Sequence, residues 1–240
     1  MDPNISLINP IPEYPQHGNQ GDRNGRTDPQ QFPTSLTITI SREAGTRGST
    51  IAKKIGERLG WQVYSSDLFE YSHQDERVRQ DLFDSLDAEA TEWVDAAVSQ
   101  FFRDAPPDHN QETREIVRMI LCLGIRGDCV IVGRGAHCVL PNASTLKVRL
   151  IAPLQDRIAY MGQWMRLTRQ EAEKQVAIHD RKRSEFVETH FRTPSQETHQ
   201  YDMVLNTGLL GADLSTELVI QAAKTKMANM VHKHLNENGE

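Results

Sequence analysis

Short apolar runs recur along the chain and are separated by longer amphipathic stretches. The first run, residues 35–40, reads Ser-Leu-Thr-Ile-Thr-Ile, and comparable runs lie at residues 61–64, 128–132, 146–151 and 203–205. Brief runs rich in Val and Ile are typical of buried strands. The pattern therefore predicts five strands.

The stretches between these runs have helical periodicity. Residues 50–59 place apolar side chains at positions 51, 52, 55 and 59, which lie on one helix face. Helices are also predicted in residues 67–103, 112–126, 152–183 and 214–234, with an interruption at Pro106 and Pro107. Because strands alternate with helices, we expect a three-layer α/β fold with a parallel sheet of about five strands flanked by helices.

The first 34 residues have a different composition. They contain six of the 11 prolines, three glycines and many Asn and Gln residues, with no apolar periodicity before Leu36. Such a segment cannot bury enough apolar surface to offset the entropy lost on ordering. We predict a disordered N-terminal tail over residues 1–34 and one folded domain over residues 35–235.

Charge and cysteine usage narrow the classes of partner. The net charge is −6, yet residues 147–192 carry ten bases against six acids. A local basic region on an acidic protein favours a small anionic ligand over nucleic acid or a membrane surface. The three cysteines match no zinc spacing, and the sequence shows neither a membrane-length apolar stretch nor a secretory signal. We expect a cytoplasmic protein, and the oligomeric state stays open.

The turn between the first predicted strand and helix has the composition of a phosphate-binding loop. Backbone N–H groups converge in such a turn, and the helix start adds partial positive charge. The candidate residues are Ser41, Arg42, Gly45, Thr46, Arg47, Gly48, Ser49 and Thr50, and either Ser49 or Thr50 is a candidate ligand of Mg²⁺. The motif G-x-x-x-x-G-K-[ST] is not met, since Gly48 stands in the lysine's place. A helix start capped by Ser49 or Thr50 is the alternative interpretation.

Four segments in order resemble the cytidylate-kinase-like family of P-loop nucleoside monophosphate kinases. They are residues 38–60 with Ile38-Thr-Ile-Ser-Arg-Glu-Ala-Gly45, residues 130–136 with Val-Ile-Val-Gly-Arg-Gly-Ala, residues 149–157 and residues 201–207. The resemblance covers about residues 36–225. It implies a P-loop NTPase-like fold, ATP and Mg²⁺ as cofactors, small-molecule nucleotides as partners, and phosphoryl transfer to CMP or dCMP. The family usually lacks the loop lysine too, whereas Arg47 replaces its usual glycine.

Three arginines are the candidate catalytic residues. Arg134 follows the strand at residues 128–132, at the sheet edge where α/β proteins bind ligands. By resemblance it binds the acceptor phosphate; a surface-loop arginine is the alternative. Arg181 and Arg183 lie in a segment similar to the family's lid, and there they are expected to contact phosphate. A solvated helix face is the alternative for that segment.

Three further residues follow from the same resemblance. Asp180 is expected to orient an arginine or the acceptor's sugar. Arg157 is expected to support the lid or the base of the donor nucleotide. Asp67 is expected near the acceptor's sugar or hydroxyl, although a helix N-cap is an equal alternative.

Two other functions remain open from the sequence. The missing lysine is compatible with a nucleotide-binding or regulatory protein that retains little catalysis. A kinase of a different small acceptor is also compatible, because a fold does not fix its substrate.

Overall fold

The computed structural model describes residue 33 and residues 35–65, 76–103, 111–191 and 197–237. Nearly all of the predicted tail and the candidate Asp67 lie outside these ranges, so both remain predictions. No helix in the described ranges is both long and apolar enough to cross a membrane.

The expected α/β architecture with a parallel five-stranded sheet is confirmed. The described strands lie in the order β2-β3-β1-β4-β5, and every neighbouring pair is parallel. Their bounds are β1 (Thr37–Arg42), β2 (Gln62–Tyr64), β3 (Cys129–Val132), β4 (Thr145–Ile151) and β5 (Met203–Asn206).

Helices cover both faces of this sheet. The helices in the described ranges are α1 (Gly48–Leu59), α2 (Glu76–Asp84), α3 (Ala88–Phe101), α4 (Gln111–Arg126), α5 (Ala136–Val139), α6 (Leu154–Met165), α7 (Arg169–Phe191) and α8 (Thr207–Glu237), with a 3₁₀ turn at Thr198–Gln200. The strand β3 shows how the layers form. Its residues Cys129 and Ile131 pack with α3 and α4, whereas Val130 and Val132 pack with α1 and α8. The alternation of side chains along a strand thus builds two cores from one sheet.

Two predicted helices have different bounds in the structure. The mostly helical region predicted over residues 152–183 is two helices, α6 and α7, because Arg166 adopts a left-handed conformation with φ 56° and ends α6. The closing helix begins at Thr207 rather than residue 214, and Gly211 interrupts it with φ 72° and ψ 171°. A small third core joins α6 and α7 to the β1–α1 loop through Ala44, Ile158 and Ala172.

Candidate active site

A cleft of about 980 Å³ opens at the carboxyl ends of β1, β3 and β4. Its walls come from the β1–α1 loop (residues 41–50), the turn Gly133–Gly135 after β3, the end of β4, and the helices α6 and α7. In a parallel sheet this edge is where ligands bind. All eight candidate residues of the β1–α1 loop line the cleft.

The β1–α1 loop owes its shape to two left-handed positions. Gly45 has φ 83°, and a Cβ there would lie 2.6 Å from the carbonyl oxygen of Arg157, so only glycine fits. Arg47 has φ 59° and is the N-cap of α1, without a side-chain cap. The alternative in which Ser49 or Thr50 caps this helix is therefore wrong. Both lie exposed in its first turn.

The loop's inner side is fixed by hydrogen bonds. Thr46 donates its hydroxyl to the carbonyl of Glu43 at 2.9 Å, and Thr207 donates its own to the carbonyl of Thr46 at 3.1 Å. Thr46 is buried. Its side chain therefore shapes the loop, while the loop's backbone faces the cleft.

Arg157 connects the loop to the lid-like helix α7. Only 11% of its side chain is exposed. Its guanidinium donates to Asp180 Oδ2 at 2.5 Å and to the carbonyl of Ala44 at 3.4 Å, and it lies 3.4 Å from Glu43 Oε2. Asp180 also accepts the backbone N–H of Ala44 at 2.6 Å. The carboxylates of Glu43 and Asp180 thus both contact Arg157, which links the β1–α1 loop to α7.

Besides Arg157 and the arginines of the β1–α1 loop, the cleft is lined by three arginines from separate parts of the fold: Arg134, Arg149 and Arg183. The guanidinium of Arg134 lies over the Phe186 ring at 5.1 Å from its centre. Burial lowers the pKa of Arg183, an effect that Asp180 opposes and that Arg149 and Arg157 increase. Arg183 Nη1 is buried without a hydrogen-bond partner among the described residues, and Asp180 Oδ1 lies 3.9 Å away. This arrangement concentrates positive charge across from the loop.

The structure does not bring Arg181 to the cleft. Its side chain is 71% exposed, and it forms an ion pair with Glu185 one turn later at 3.6 Å. Its neighbour Lys182 lines the cleft instead. The solvated-face alternative therefore describes Arg181 in this conformation but not Arg183.

A polar network missed by sequence reasoning lies at the base of the cleft. His137 Nδ1 is 3.2 Å from Ser41 Oγ, and His137 Nε2 is 3.1 Å from the hydroxyl of Tyr201. The rings of His137 and Tyr201 are stacked, with centres 4.9 Å apart. Arg149 also belongs to this group, since its guanidinium lies 5.8 Å from the centre of the Tyr201 ring.

One signal in the sequence points to Arg149. The strand at residues 145–151 alternates Lys147 and Arg149 with apolar residues, and charged residues at alternate positions lie on one face. That face of the sheet forms the base of the cleft. No comparable local signal marks His137 or Tyr201, which reach the network only through the fold.

Two aromatic side chains form the outer wall of the cleft on α6. The guanidinium of Arg47 lies 5.1 Å from the centre of the Tyr160 ring. Trp164 lines the cleft one helical turn further on, with 69% of its residue surface exposed.

A protein-only metal centre is absent from the described ranges. No group of three or more His, Cys, Asp or Glu side chains there is placed to hold a metal ion.

Comparisons with known proteins agree with this architecture. The model of the cytidylate kinase-like family matches residues 37–209. A cytidylate kinase from Methanopyrus kandleri is 22% identical over 193 residues, which cover 80% of this chain and 94% of that protein. A uronate isomerase from Corynebacterium glutamicum is 29% identical over 131 residues, covering 54% of this chain. The matched part is only 24% of that larger protein.

One solved structure supports the fold. The crystal structure of an uncharacterized protein from Eubacterium ventriosum has a TM-score of 0.56 and 18% sequence identity, and covers 80% of this chain and 99% of that chain. At this identity the similarity concerns the fold alone.

Proposed function

Because the chain belongs to the cytidylate kinase-like family, we propose that it transfers a phosphoryl group from ATP to a nucleoside monophosphate, with CMP or dCMP as the acceptor. Family membership supports a nucleotide kinase-like function. The choice of acceptor rests on the resemblance of the sequence and on the Methanopyrus kandleri relative.

The observation that carries this proposal is the convergence of Arg134, Arg149 and Arg183 on a cleft whose opposite wall is the β1–α1 loop. Phosphoryl transfer requires the protein to position two nucleotides and to stabilise charge on the moving group. Arginine suits this task because its planar fork binds two phosphate oxygens together. In the proposal Arg134 binds the acceptor phosphate and Arg183 contacts the transferring group, while Arg157 and Asp180 hold the lid-like helix against the loop.

The loop residues fit the phosphates of ATP. A helix start with converging backbone N–H groups binds anions, and α1 has no side-chain cap that would occupy this position. Gly48, the first residue of α1, is among the residues that line the cleft. Mg²⁺ would be held by phosphate oxygens and by the hydroxyl of Ser49 or Thr50, and it supplies neutralisation of the phosphate charge.

A coupled assay of ATP consumption tests the proposed reaction across nucleoside monophosphates. We expect turnover with CMP or dCMP above that with AMP, GMP or UMP. Turnover only with an acceptor outside this set would favour the kinase of another small molecule.

Replacement of Gly48 tests whether the loop binds phosphate. In Gly48→Asp the new carboxylate at the start of α1 repels the phosphates, and we expect ATP–Mg²⁺ affinity in calorimetry to fall more than about tenfold. Gly48→Ala is the matched control. Its Cβ meets the same close contacts as that of the aspartate, 3.1 Å from Arg42 Cγ and 3.3 Å from Arg42 Cβ, but adds no charge, so its ATP affinity should stay about tenfold or more above that of Gly48→Asp. Unchanged ATP binding in Gly48→Asp would exclude this turn as a phosphate loop.

The absence of a lysine at Gly48 favours a second candidate, a nucleotide-binding protein with little catalysis. That function predicts tight ATP–Mg²⁺ binding together with no turnover on any monophosphate. The assay and the calorimetry together separate the two functions.

A further inference from the structure

The network at the base of the cleft joins side chains from four separate elements. Ser41 lies one position before the end of β1, His137 lies in α5, Arg149 lies in β4, and Tyr201 precedes β5. All four line the cleft. Ser41 and Arg149 are register partners on adjacent strands, so their side chains share one face of the sheet. This face is opposite to the one covered by α1, and it is the face that carries Arg134 and α7. The network therefore borders the proposed acceptor side of the cleft.

His137 is held in the neutral form. It is buried, and burial, followed by the charges of Lys147 and Arg149, lowers its pKa to about 3. The groups around its ring are Ser41 on β1, Tyr201 before β5, Cys138 at 3.3 Å from Nε2, and the two cations of β4. A neutral imidazole has one N–H donor and one acceptor nitrogen, so the network has only two possible directions.

Arg149 selects one of these directions. The guanidinium of Arg149 lies beside the Tyr201 ring, 5.8 Å from its centre, and this fixed positive charge favours an orientation in which the phenolic proton points away from it. The phenolic O–H is then available to donate to His137 Nε2. Consequently Nδ1 carries the imidazole proton and donates to Ser41 Oγ, which leaves the serine's own proton for another acceptor.

We propose that His137 is a positioning residue that, together with Arg149 and Tyr201, holds the Ser41 hydroxyl as a hydrogen-bond donor to the phosphate of the acceptor nucleotide. The proposal rests on the proposed function for the identity of that phosphate. Without ligand, Ser41 Oγ lies 3.2 Å from His137 Nδ1, and a bound phosphate oxygen gives the serine's own proton a charged acceptor. The network transfers no proton. It only fixes the direction in which the Ser41 hydroxyl donates its hydrogen bond.

The tautomer of His137 tests the direction of the network independently of any activity. We expect ¹⁵N NMR of the full chain to show a neutral Nδ1–H ring from pH 5 to 8, assigned by its absence in His137→Asn. Tyr201→Phe removes the donor to Nε2 and should shift the ring toward the Nε2–H tautomer. An Nε2–H ring in the wild type, or titration near pH 6.5, would overturn the proposal.

Binding of CMP tests the role of the Ser41 donor. Ser41→Ala and His137→Phe should each weaken CMP binding in calorimetry by roughly ten- to hundredfold, the value of a hydrogen bond to a charged group. The double variant should lose no more than either single variant, because both remove the same contact. His137→Asn retains an N–H near the Nδ1 position and should recover most of the affinity. ATP affinity is the control for loop integrity and should stay within about threefold of the wild type in His137→Phe and His137→Asn. In Ser41→Ala, which changes a loop residue itself, CMP affinity should fall more than ATP affinity.

The failure of this inference is distinguishable from failure of the proposed function. Wild-type CMP affinity in Ser41→Ala, or a double variant whose loss equals the product of the single losses, overturns the inference while kinase activity persists. If no nucleoside monophosphate binds the wild type, the proposed acceptor class fails. Inorganic pyrophosphate is then the probe for the same four variants, and an unchanged pyrophosphate affinity in Ser41→Ala overturns the inference.

Discussion

At the residue scale, Arg47 adopts a backbone conformation that suits the glycine usual at this position in the family. Its φ of 59° is the left-handed region, which glycine enters at no steric cost and which costs other residues roughly 1–2 kcal/mol. The side chain recovers part of this through its contact with Tyr160 at 5.1 Å. The loop therefore keeps a glycine-like backbone despite an arginine.

This interpretation predicts a difference between two truncations of Arg47. Both Arg47→Gly and Arg47→Ala lose the contact with Tyr160, but only alanine keeps a Cβ in the left-handed region. We expect Arg47→Gly to be more stable than Arg47→Ala by about 1 kcal/mol in urea denaturation. Equal stability of the two variants would mean that the left-handed backbone at residue 47 is not strained.

The buried His137 predicts a loss of stability in acid. Its pKa is lowered by burial to about 3, against an ordinary value of 6.5. Between these values the unfolded chain binds a proton that the folded protein excludes, so the free energy of unfolding falls as pH falls through this window. The loss has a limiting slope of about 1.4 kcal/mol per pH unit. We expect urea denaturation of His137→Phe from pH 7 to 4.5 to lack this component, whereas an identical slope would contradict the buried neutral histidine.

Residues of the candidate site differ in how far the sequence predicts them. Arg134 and the loop residues follow directly after strands, and their position at the carboxyl edge can be predicted from that order alone. The network of Ser41, His137, Arg149 and Tyr201 cannot, because it depends on which strands become neighbours. Residues 41 and 201 are brought together because β4 lies between β1 and β5 in the sheet.

At the element scale, the boundary between α6 and α7 was missed although the sequence contains a signal for it. Thr168 and Glu171 form a reciprocal capping box: Thr168 donates its N–H to Glu171 Oε2 at 2.8 Å, and the Glu171 N–H donates to Thr168 Oγ1 at 3.4 Å. The preceding turn has Arg166 in a left-handed conformation, where glycine or asparagine is more usual. Because neither glycine nor asparagine stands at residue 166, the helical periodicity of the sequence predicts a continuous helix through this turn.

Asp180 determines how α7 is held against the β1–α1 loop. Asp180→Asn weakens its contacts with Arg157 and with the Ala44 N–H. Because Asp180 is about a third exposed, we expect a modest loss of roughly 1–2 kcal/mol in urea denaturation. Arg181→Ala is the control on the adjacent, exposed position and should change stability by less than about 0.5 kcal/mol. A similar effect of both changes would exclude Asp180 as the link.

At the scale of the whole molecule, the alternation of strands and helices was enough to predict a parallel sheet with two helical layers. The order β2-β3-β1-β4-β5 was not predicted, because alternation does not specify which strand lies beside which. That order places β1 at the centre, with the ends of β3 and β4 on either side of its loop. It is the feature that brings arginines from separate parts of the chain to one cleft.

The predicted domain boundary is testable by two deletions. Removal of residues 1–32 should leave the Tm unchanged, since the tail's composition provides no apolar periodicity to bury. Removal of residues 1–36 also takes away the buried Leu36, whose carbonyl accepts the N–H of Asp128, and should cost about 2 kcal/mol. A large drop in Tm for the shorter deletion would show that the tail packs on the domain.

The exposed indole of Trp164 gives the molecule a built-in optical reporter. Trp93 is buried in the core beside α4 and Trp61 is partly buried against the other core, whereas Trp164 lies in the wall of the cleft. Indole emission moves to shorter wavelengths as water leaves its surroundings, so a nucleotide or a movement of α7 that covers Trp164 would produce a blue shift. The Trp164→Phe variant would lose that spectral response while Trp61 and Trp93 keep their emission, which makes cleft occupancy visible without any label.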